Sequence, residues 1–539
     1  MADGDEGTAD ERPVWILMSA VAAVLLLASL GQTIVGTALP VIVGDLGGLD
    51  HLSWVVTAYL LSSTVAAPIY GKFGDQYGRK VVLQVGIAVF LAGSILAAMA
   101  SSMTFLIVAR LIQGLGGGGL IVVAMAVVAD VIPPRRRGRA QGLLGGVFGV
   151  STVIGPLLGG FIVEQFHWSW IFLLNIPIGL GALLVIGLAF RSRPARTRHT
   201  IDYLGAGLLT GALSAIVLFT SLGGNTLPWD SPAMIVLGVG AVVMLIAFLA
   251  TETRAREPIL PLQLFRNRTF AVSSAVLFVV GIAMFGTITF VPLYMQVAQG
   301  VSPQDSGLLL IPMMVGLIGA SMAAGQVMSR TGRYRLLPIA GTVVMVAGLA
   351  LLGTMSRDTP PWLISAYIFV LGCGIGPILS VSVAATQNAV PPGFLGVATA
   401  GATLFRQTGG SVGVSIFGAI FSSQLAARLG AQADPGLDGA IGEAVSGNIR
   451  EAFSAEAIAA LEPSARATVL DAIAGATNPV FLTAAVACAC AFLIALLLPE
   501  LPLATTVRRE PEAEIAAEEE ATAAVAGAPA GAGRRWSGS

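Results

Sequence analysis

Residues 71–83 read GKFGDQYGRKVVL, and this stretch decides which fold the sequence predicts. Hydrophobic runs long enough to cross a bilayer flank it on both sides, so we interpret it as a short loop between two membrane helices. Its three glycines allow the two helix ends to approach closely. In a chain of which only 11% is charged, this loop carries four charges: Lys72, Asp75, Arg79 and Lys80.

The composition of the 539-residue chain is that of an integral membrane protein. Hydrophobic residues make up 55% of the chain and the mean hydropathy is +0.85, which excludes an ordinary soluble domain. A net charge of −1 gives no basic surface for nucleic acid. The three cysteines lie inside apolar runs, which argues against a disulfide framework or a zinc site, so we expect no metal and no cofactor.

Apolar segments of about 20 residues recur along the chain and predict an all-α membrane protein of about fourteen transmembrane helices. Between the last two spans, residues 425–476 form a long loop in which the pattern over 449–470 predicts short amphipathic surface helices. The predicted spans are 15–40, 54–71, 81–101, 104–129, 139–163, 169–190, 203–223, 232–251, 270–296, 306–328, 336–355, 362–386, 395–424 and 477–499.

Lysine and arginine concentrate in the loops on one side of the predicted bundle, beginning with the loop at 71–83. Because cytoplasmic loops carry the excess of these residues, the N-terminus is predicted to be cytoplasmic. An even number of spans returns the C-terminus to the same side. The sequence therefore predicts a multi-pass protein of the cell (plasma) membrane, of the kind found in the bacterial inner membrane.

A weak internal repeat divides the predicted spans into two halves. The loop at 325–337, GQVMSRTGRYRLL, aligns with the loop at 71–83, and Ser329 takes the position of Asp75. Parallel repeats of this kind are typical of two-lobed transporters. The identical pairs are Gly71/Gly325, Gly78/Gly332, Arg79/Arg333 and Leu83/Leu337. The predicted organisation is a cytoplasmic tail (1–13), a first six-helix lobe (14–190), two inserted helices (203–251), a second six-helix lobe (268–500) and a disordered cytoplasmic tail (501–539).

Asp75 and Arg79 are suited to join helices at a membrane surface. A carboxylate can cap a helix N-terminus, and a guanidinium can pair with a carboxylate on another helix. Asp130, at the end of the fourth span, is the predicted partner of Arg79. The alternative is that these are solvated loop charges that only follow the positive-inside rule.

Arg110 lies inside the fourth span, in the segment LIVARLIQG (106–114). Because an arginine near the centre of a helix costs about 2.5–3.5 kcal/mol on insertion scales, it should face a cavity or a partner. Gln113 follows one turn later on the same face. The alternative is that Arg110, a turn or two from the outer end, extends to the membrane surface.

The fifth span contains the segment GVSTVIGPLLGG (149–160). Its proline removes a backbone hydrogen bond and bends the helix, and its glycines keep one face flat. The alternative is generic helix packing by small residues. The residues of this motif are Gly149, Gly155, Pro156, Gly159 and Gly160.

These three motifs resemble the signature loop, the fourth-helix motif and the antiporter motif of the major facilitator superfamily of transporters. The segments at 29–40, 168–179, 290–296 and 404–413 are similar, in order and spacing, to those of its fourteen-span drug:proton antiporters. The resemblance implies export by alternating access, with Arg110 and Gln113 linked to proton transfer. It also implies that one cluster holds the outward-open state together: Gly71, Asp75, Gly78, Arg79, Lys80 and Asp130.

One departure from that family concerns proton coupling. Gly31 occupies the first-helix position at which the family usually has an aspartate, and we find no Asp or Glu near the middle of a predicted span. Coupling would then use a peripheral carboxylate, such as Glu164, or Asp130 through the Asp75–Arg79 pair, or it would be weak.

The predicted substrate pocket is large and mostly apolar, with a few polar anchors. With Arg110 and Arg406 as the only deep charges, we expect neutral, amphiphilic or anionic substrates rather than dications. Each anchor could instead hydrogen-bond another helix, and contact with helix-end carbonyls is an equal alternative for Arg406. The candidate anchors are Gln32, Thr33, Tyr59, Asn175, Tyr294, Gln296, Gln387 and Arg406.

The sequence thus predicts a proton-coupled exporter of hydrophobic or amphiphilic small molecules, of multidrug-efflux type, that works as a monomer in the lipid bilayer. The alternative is a dedicated exporter of an endogenous lipid or secondary metabolite with weak or absent proton coupling. We find neither a phosphate-binding loop for an ATP-driven pump nor an intramembrane nucleophile–base pair, so we do not predict an enzyme.

Overall fold

The computed structural model describes residues 11–46, 52–189, 202–223, 227–255, 257–301, 303–430 and 463–503. Within these ranges the chain forms α-helices and short 3-10 turns, and it contains no β-strand. The helices are α1 (Glu11–Thr33), α2 (Val35–Leu46), α3 (Leu52–Tyr77), α4 (Arg79–Ala98), α5 (Met103–Val131), α6 (Pro134–Gln165), α7 (Trp170–Leu173), α8 (Asn175–Ala189), α9 (Tyr203–Leu222), α10 (Pro232–Glu252), α11 (Arg268–Ala298), α12 (Pro303–Leu308), α13 (Ile311–Thr331), α14 (Leu336–Leu352), α15 (Pro361–Asn388), α16 (Leu395–Gly430) and α17 (Pro463–Ala495).

The helices confirm an all-α membrane fold. Twelve stretches of the described residues are long and apolar enough to cross a bilayer. The two other predicted spans correspond to α14, which is apolar but only 17 residues long, and to α6, which has 32 residues. α6 is rich in glycine and begins with a run of arginines, so its hydropathy is low although its length is ample.

Some predicted boundaries are wrong. The first span is not one helix, because a turn at Ile34 separates α1 from α2, which continues to Leu46. The predicted loop at 425–476 is shorter than expected at both ends, since α16 continues to Gly430 and α17 begins at Pro463. Residues 431–462 lie outside the described residues, as do most of the predicted amphipathic helices.

We call α1–α8 the first lobe and α11–α17 the second lobe. The two lobes meet mainly along two helix pairs, α3 with α16 and α6 with α13. α9 packs against both α3 and α16, and α10 packs on α9. One face of α10 exposes branched apolar side chains, as expected of a lipid-facing helix: Val236, Val239, Val242, Val243 and Ile246.

The signature loop at 71–83 is helical apart from Gly78, in contrast to the prediction, because α3 continues to Tyr77 and α4 begins at Arg79. It lies where α3 meets the start of α16, and we call this the predicted cytoplasmic end of the bundle. The predicted tails are described only in part. The C-terminal tail was predicted to be disordered from residue 501, but the backbone N–H of Leu501 donates to the hydroxyl group of Tyr334 at 3.2 Å. Residues 1–10 and 504–539 lie outside the described residues.

Candidate functional site

The signature loop brings Asp75 to the N-terminus of a helix in the other lobe. The side chain of Asp75 is 5% exposed. Its two oxygens accept hydrogen bonds from the backbone N–H groups of Gly396 and Val397, each at 2.9 Å. These N–H groups belong to the first turn of α16 and have no partner within that helix. Asp75 therefore caps α16 and joins the two lobes at the predicted cytoplasmic end.

Glycine is required where α3 and α16 cross. A Cβ atom on Gly71 would lie 2.6 Å from the Cβ atom of Ala400 and 2.9 Å from the carbonyl oxygen of Gly396. Gly78 has a φ of +88°, in the region that glycine adopts without strain, and it separates α3 from α4. Two of the three loop glycines thus have distinct tasks, one in helix contact and one in the turn.

Arg79 connects Asp75 to a third helix. Its guanidinium lies 3.0 Å from the Asp75 carboxylate and is also in ion-pair contact with Asp130 at the end of α5, as predicted. Lys80 lies apart from this cluster, because its ammonium donates to the carbonyl oxygen of Gly187 in α8 at 2.8 Å. The cluster therefore fixes α3, α5 and the start of α16 relative to one another.

The second copy of the repeat forms the equivalent contact between the lobes with a side chain of the opposite charge. Here α13 is followed by Gly332, whose φ is +71°, and α13 packs against α6. The guanidinium of Arg135 donates to the carbonyl oxygens of Ser329 and Arg330, each at 2.7 Å. A Cβ atom on Gly325 would lie 2.5 Å from the backbone nitrogen of Arg139. A cation at a helix C-terminus thus corresponds to the carboxylate at a helix N-terminus in the first copy.

Gln387, a predicted pocket residue, lies instead between the lobes at the predicted cytoplasmic end. Its side-chain amide donates to the hydroxyl group of Thr399 at 3.0 Å and to the carbonyl oxygen of Met125 at 3.3 Å. The guanidinium of Arg137 donates to its backbone carbonyl oxygen at 3.3 Å. Gln387 therefore takes the alternative role, a hydrogen bond between helices.

Arg110 is fully buried and does not extend to the membrane surface. Its guanidinium donates to the backbone carbonyl oxygens of Gly31 (2.8 Å) and Val55 (3.2 Å) and to the side-chain oxygen of Gln113 (2.6 Å). The ring of Tyr59 stacks against it, with a centroid distance of 4.3 Å. Its Nη2 atom has no partner among the described residues. Arg110 thus binds α1, α3 and α5 together through neutral groups.

Gly31 occupies the position at which the family usually has an aspartate, and its backbone carbonyl oxygen binds Arg110 directly. Where the family pattern would place a carboxylate, this chain supplies a backbone carbonyl, and a Cβ atom there would lie 2.8 Å from the ring of Phe90. The amide of Gln113 extends the network by donating to the hydroxyl group of Ser94 at 2.7 Å. Arg110 is therefore satisfied in part by carbonyl oxygens, without an acid among its described partners.

The other proton-coupling candidate, Glu164, lies exposed at the opposite end of the bundle. A second acid at that end, Asp45, accepts a hydrogen bond from the indole of Trp168 at 2.7 Å and lies 3.3 Å from the ring of His167. The hydrogen bond from Trp168 and, to a smaller extent, the contact with His167 lower the pKa of Asp45. These exposed acids lie at the end of the bundle opposite the predicted cytoplasmic end and do not belong to the Arg110 network.

The antiporter motif serves two different faces of α6. A Cβ atom on Gly149 would lie 3.2 Å from the sulfur of Met314 in the second lobe. A Cβ atom on Gly155 would lie 2.2 Å from the hydroxyl oxygen of Thr33 in α1, and that hydroxyl donates to Ser151 at 3.1 Å. Gly159 is buried, Gly160 faces open space, and the Gly155–Pro156 step lies inside α6.

Most of the predicted pocket residues hold helices together. Thr33 bonds to α6, and Tyr59 donates to the carbonyl oxygen of Ala28 at 2.8 Å. Near the end of the bundle opposite the predicted cytoplasmic end, Tyr294 donates to the carbonyl oxygen of Ser356 at 2.6 Å. The amide of Gln296 donates to the hydroxyl group of Ser306 at 2.7 Å. These positions follow the alternative interpretation of the sequence.

Three predicted pocket residues have polar groups without a partner among the described residues. Gln32 and Arg406 are partly exposed and make no hydrogen bond or ion pair with any described residue. Asn175 is buried, and its amide nitrogen has no partner in the same ranges. Arg406 follows Leu395 by eleven residues, which places it about 16 Å along α16 from the predicted cytoplasmic end. It is the deepest charged side chain in the second lobe that the described contacts leave without a partner.

Glu252 was missed by the sequence analysis. It is the last residue of α10 and is buried, and its carboxylate binds two backbone N–H groups of the segment that follows. Nearby, Gln76 of the signature loop donates to Glu257 at 2.6 Å. A buried acid at a helix C-terminus is unusual, since the macrodipole disfavours it, and that position was the available signal.

A model of the Major Facilitator Superfamily matches residues 21–414, and the chain belongs to this family of membrane transporters. It is 42% identical over 488 residues to an uncharacterized MFS-type transporter of Mycobacterium tuberculosis, covering 90% of this chain and 70% of that protein. It is 37% identical to the multidrug transporter protein MdtP of Bacillus subtilis, covering 78% and 77%.

A fungal relative and a solved structure complete the comparison. The acurin A biosynthesis cluster MFS-type transporter of Aspergillus aculeatus is 32% identical over 419 residues, covering 76% of this chain and 75% of that protein. The crystal structure of the human organic anion transporter MFSD10 superposes with a TM-score of 0.59 over 90% of this chain, at 14% identity. This second likeness concerns the fold alone.

Proposed function

We propose that this transporter is a secondary active exporter of hydrophobic or amphiphilic small molecules, driven by proton antiport. The observation that carries the proposal is the Asp75–Arg79–Asp130 cluster bound to the start of α16. It closes the predicted cytoplasmic end through ionised groups, which a change of protonation could release. The multidrug transporter among the relatives supports export, and the antiporter motif at the α1–α6 contact agrees with it.

The charge of the interior supports a choice of substrate. The guanidinium of Arg110 is hydrogen-bonded to neutral groups, whereas Arg406, about halfway through the bundle, has no described partner. A guanidinium without a counter-ion attracts anions and repels cations. We therefore propose that anionic or neutral amphiphiles are favoured over dications of the same size.

The test is transport by proteoliposomes with an imposed pH gradient, using matched anionic, neutral and dicationic amphiphilic dyes as probes. We expect gradient-dependent flux of the anionic and neutral dyes, reduced strongly by Asp75→Asn. Arg357→Ala serves as the control, because Arg357 is exposed and its one contact with a charged group of the described residues is with Asp471, at 3.5 Å. Flux that ignores the gradient would exclude antiport, and preference for the dication would exclude the proposed selectivity.

A second candidate is a dedicated exporter of an endogenous lipid or secondary metabolite. Two observations favour it: Gly31 supplies a carbonyl where an acid is expected, and one relative is named for a biosynthesis cluster. Lipid and metabolite profiling of a deletion strain, combined with a growth-inhibition panel of drugs, separates the two candidates. Accumulation of one cellular product without drug sensitivity would favour the dedicated exporter.

A further inference from the structure

The buried carboxyl group of Glu252 at the end of α10 has one hydrogen-bonded oxygen and one oxygen without a described partner. The side chain of Glu252 is 4% exposed. Its Oε1 atom accepts hydrogen bonds from the backbone N–H groups of Ile259 (3.0 Å) and Leu260 (3.3 Å). Its Oε2 atom is buried and has no partner within the described ranges. A buried charged oxygen without a partner is costly, and a bound proton removes that charge.

The segment that Glu252 holds is also tied to the signature loop. The amide of Gln76 donates to the carboxylate of Glu257 at 2.6 Å. Gln76 is 4% exposed, and its own carbonyl oxygen has no partner in the part of the chain that the structure describes. It lines a small cavity between α3, α9 and this segment, together with Lys72, Asp202 and Glu257. The cavity thus presents an unsatisfied amide oxygen among ionisable groups.

Other ionisable groups lie close to Glu252 among the described residues. Asp202 directly precedes α9 and caps it by accepting a hydrogen bond from the backbone N–H of Gly205 at 2.8 Å, while its second oxygen is buried without a described partner. Asp202 and Lys72 lie within electrostatic range of Glu252, and Glu257 lines the same cavity. Among the described residues, Asp202 and Glu257 therefore contribute two further carboxyl groups to this region and Lys72 contributes one ammonium group. Adjacent carboxylates disfavour each other's ionisation, so one proton would stabilise the packed cluster.

We propose that Glu252 is a proton-binding site that senses pH on the predicted cytoplasmic side and controls the closed contact at Asp75. The segment that follows Glu252 leads into α11 of the second lobe, whereas Gln76 belongs to the first lobe. Opening of this end would separate the two and bring Glu252 into water. A bound proton thus favours the closed arrangement, and its loss favours opening. This inference goes beyond the proposed function, because it holds whether or not protons are exchanged for substrate.

The test uses the full-length protein in lipid nanodiscs, with its three native cysteines replaced by alanine and a reporter cysteine introduced by Ala67→Cys. Ala67 is fully buried between the lobes beside Val122 and Ala400, so a maleimide reaches position 67 only when this end opens. Labelling rates are measured from pH 5 to pH 8 with and without Glu252→Gln. The ratio of the two rates cancels the pH dependence of the thiol itself.

We divide the labelling rate of the protein that keeps Glu252 by the rate of the Glu252→Gln variant. We expect this ratio to rise between pH 5 and pH 8, by about tenfold for each pKa unit by which opening lowers the pKa of Glu252. A ratio that is constant from pH 5 to pH 8 would overturn the proposal. Asp202→Asn removes a neighbouring negative charge and should move the midpoint of this rise to lower pH. An unchanged midpoint would also contradict the proposal. Asp230→Asn, an exposed carboxylate at the opposite end of the α9–α10 pair, should leave the profile unchanged.

Discussion

The two helix pairs that join the lobes hold equivalent positions in the repeat but use opposite charges. In the α3–α16 pair, Asp75 binds N–H groups at the start of a helix, and in the α6–α13 pair, Arg135 binds carbonyl oxygens at the end of one. α6 begins with Pro134, which has no N–H to offer a carboxylate. The charge that suits each contact therefore follows from which helix terminus is presented.

The largest expected effect comes from breaking the contact at Asp75. Asp75→Ala removes the cap of α16 and leaves Arg79 buried with Asp130 as its one described acidic partner. Loss of a buried ionic partner costs about 3–5 kcal/mol, so the closed arrangement should be lost. Maleimide labelling of the cysteine at position 67 should then rise by more than about a hundredfold. Asp75→Asn, which keeps one acceptor oxygen, should give a smaller increase.

The crossing of α3 and α16 provides the next test. Gly71→Ala would place a Cβ atom against Ala400 and the backbone of Gly396. Overpacking of this kind costs about 1–3 kcal/mol, and we expect a lower thermal unfolding temperature together with faster labelling at position 67. Gly145→Ala is the matched control, because a Cβ atom there meets nothing within 4 Å. Equal effects of the two substitutions would mean that the close crossing is not needed.

The α6–α13 contact should be weaker. Arg135 is only partly buried and its partners are neutral carbonyl oxygens, so Arg135→Ala should cost about 1 kcal/mol of the closed arrangement. That value corresponds to roughly a fivefold increase in labelling at position 67. Arg136→Ala, an exposed neighbour, is the control. An effect of Arg135→Ala as large as that of Asp75→Ala would contradict the ranking of the two contacts.

The smallest expected effect comes from a substitution that stabilises the closed arrangement. Ser329→Asp would place a carboxylate at the repeat position of Asp75, close to the guanidinium of Arg135. A partly exposed ion pair contributes about 0.2–1 kcal/mol, so a slightly slower labelling at position 67 is expected. The gain should disappear in the Arg135→Ala background, which a double-mutant cycle measures. A gain that persists there would show that the new charge acts on another group.

The sequence predicted the spans well because length and hydropathy are local properties. It also identified the Arg79–Asp130 pair, since two opposite charges at the same end of adjacent spans have few other partners. For Gln387 and Tyr294 it left two roles open, of which the structure shows the hydrogen bond between helices, and it missed Glu252. For each of these, the partner is a backbone group or a residue distant in sequence, and neither leaves a local pattern.

The sequence by itself determined an all-α membrane transporter with an internal repeat, a charged signature loop and no acid at Gly31. Only the tertiary structure decided that Asp75 caps α16, that Arg135 binds the end of α13, and that carbonyl oxygens take part in satisfying Arg110. The physical reason is that every residue except proline carries the same backbone donor and acceptor. Which of these groups remains free for a side chain depends on where helices end and meet, and the fold sets those positions.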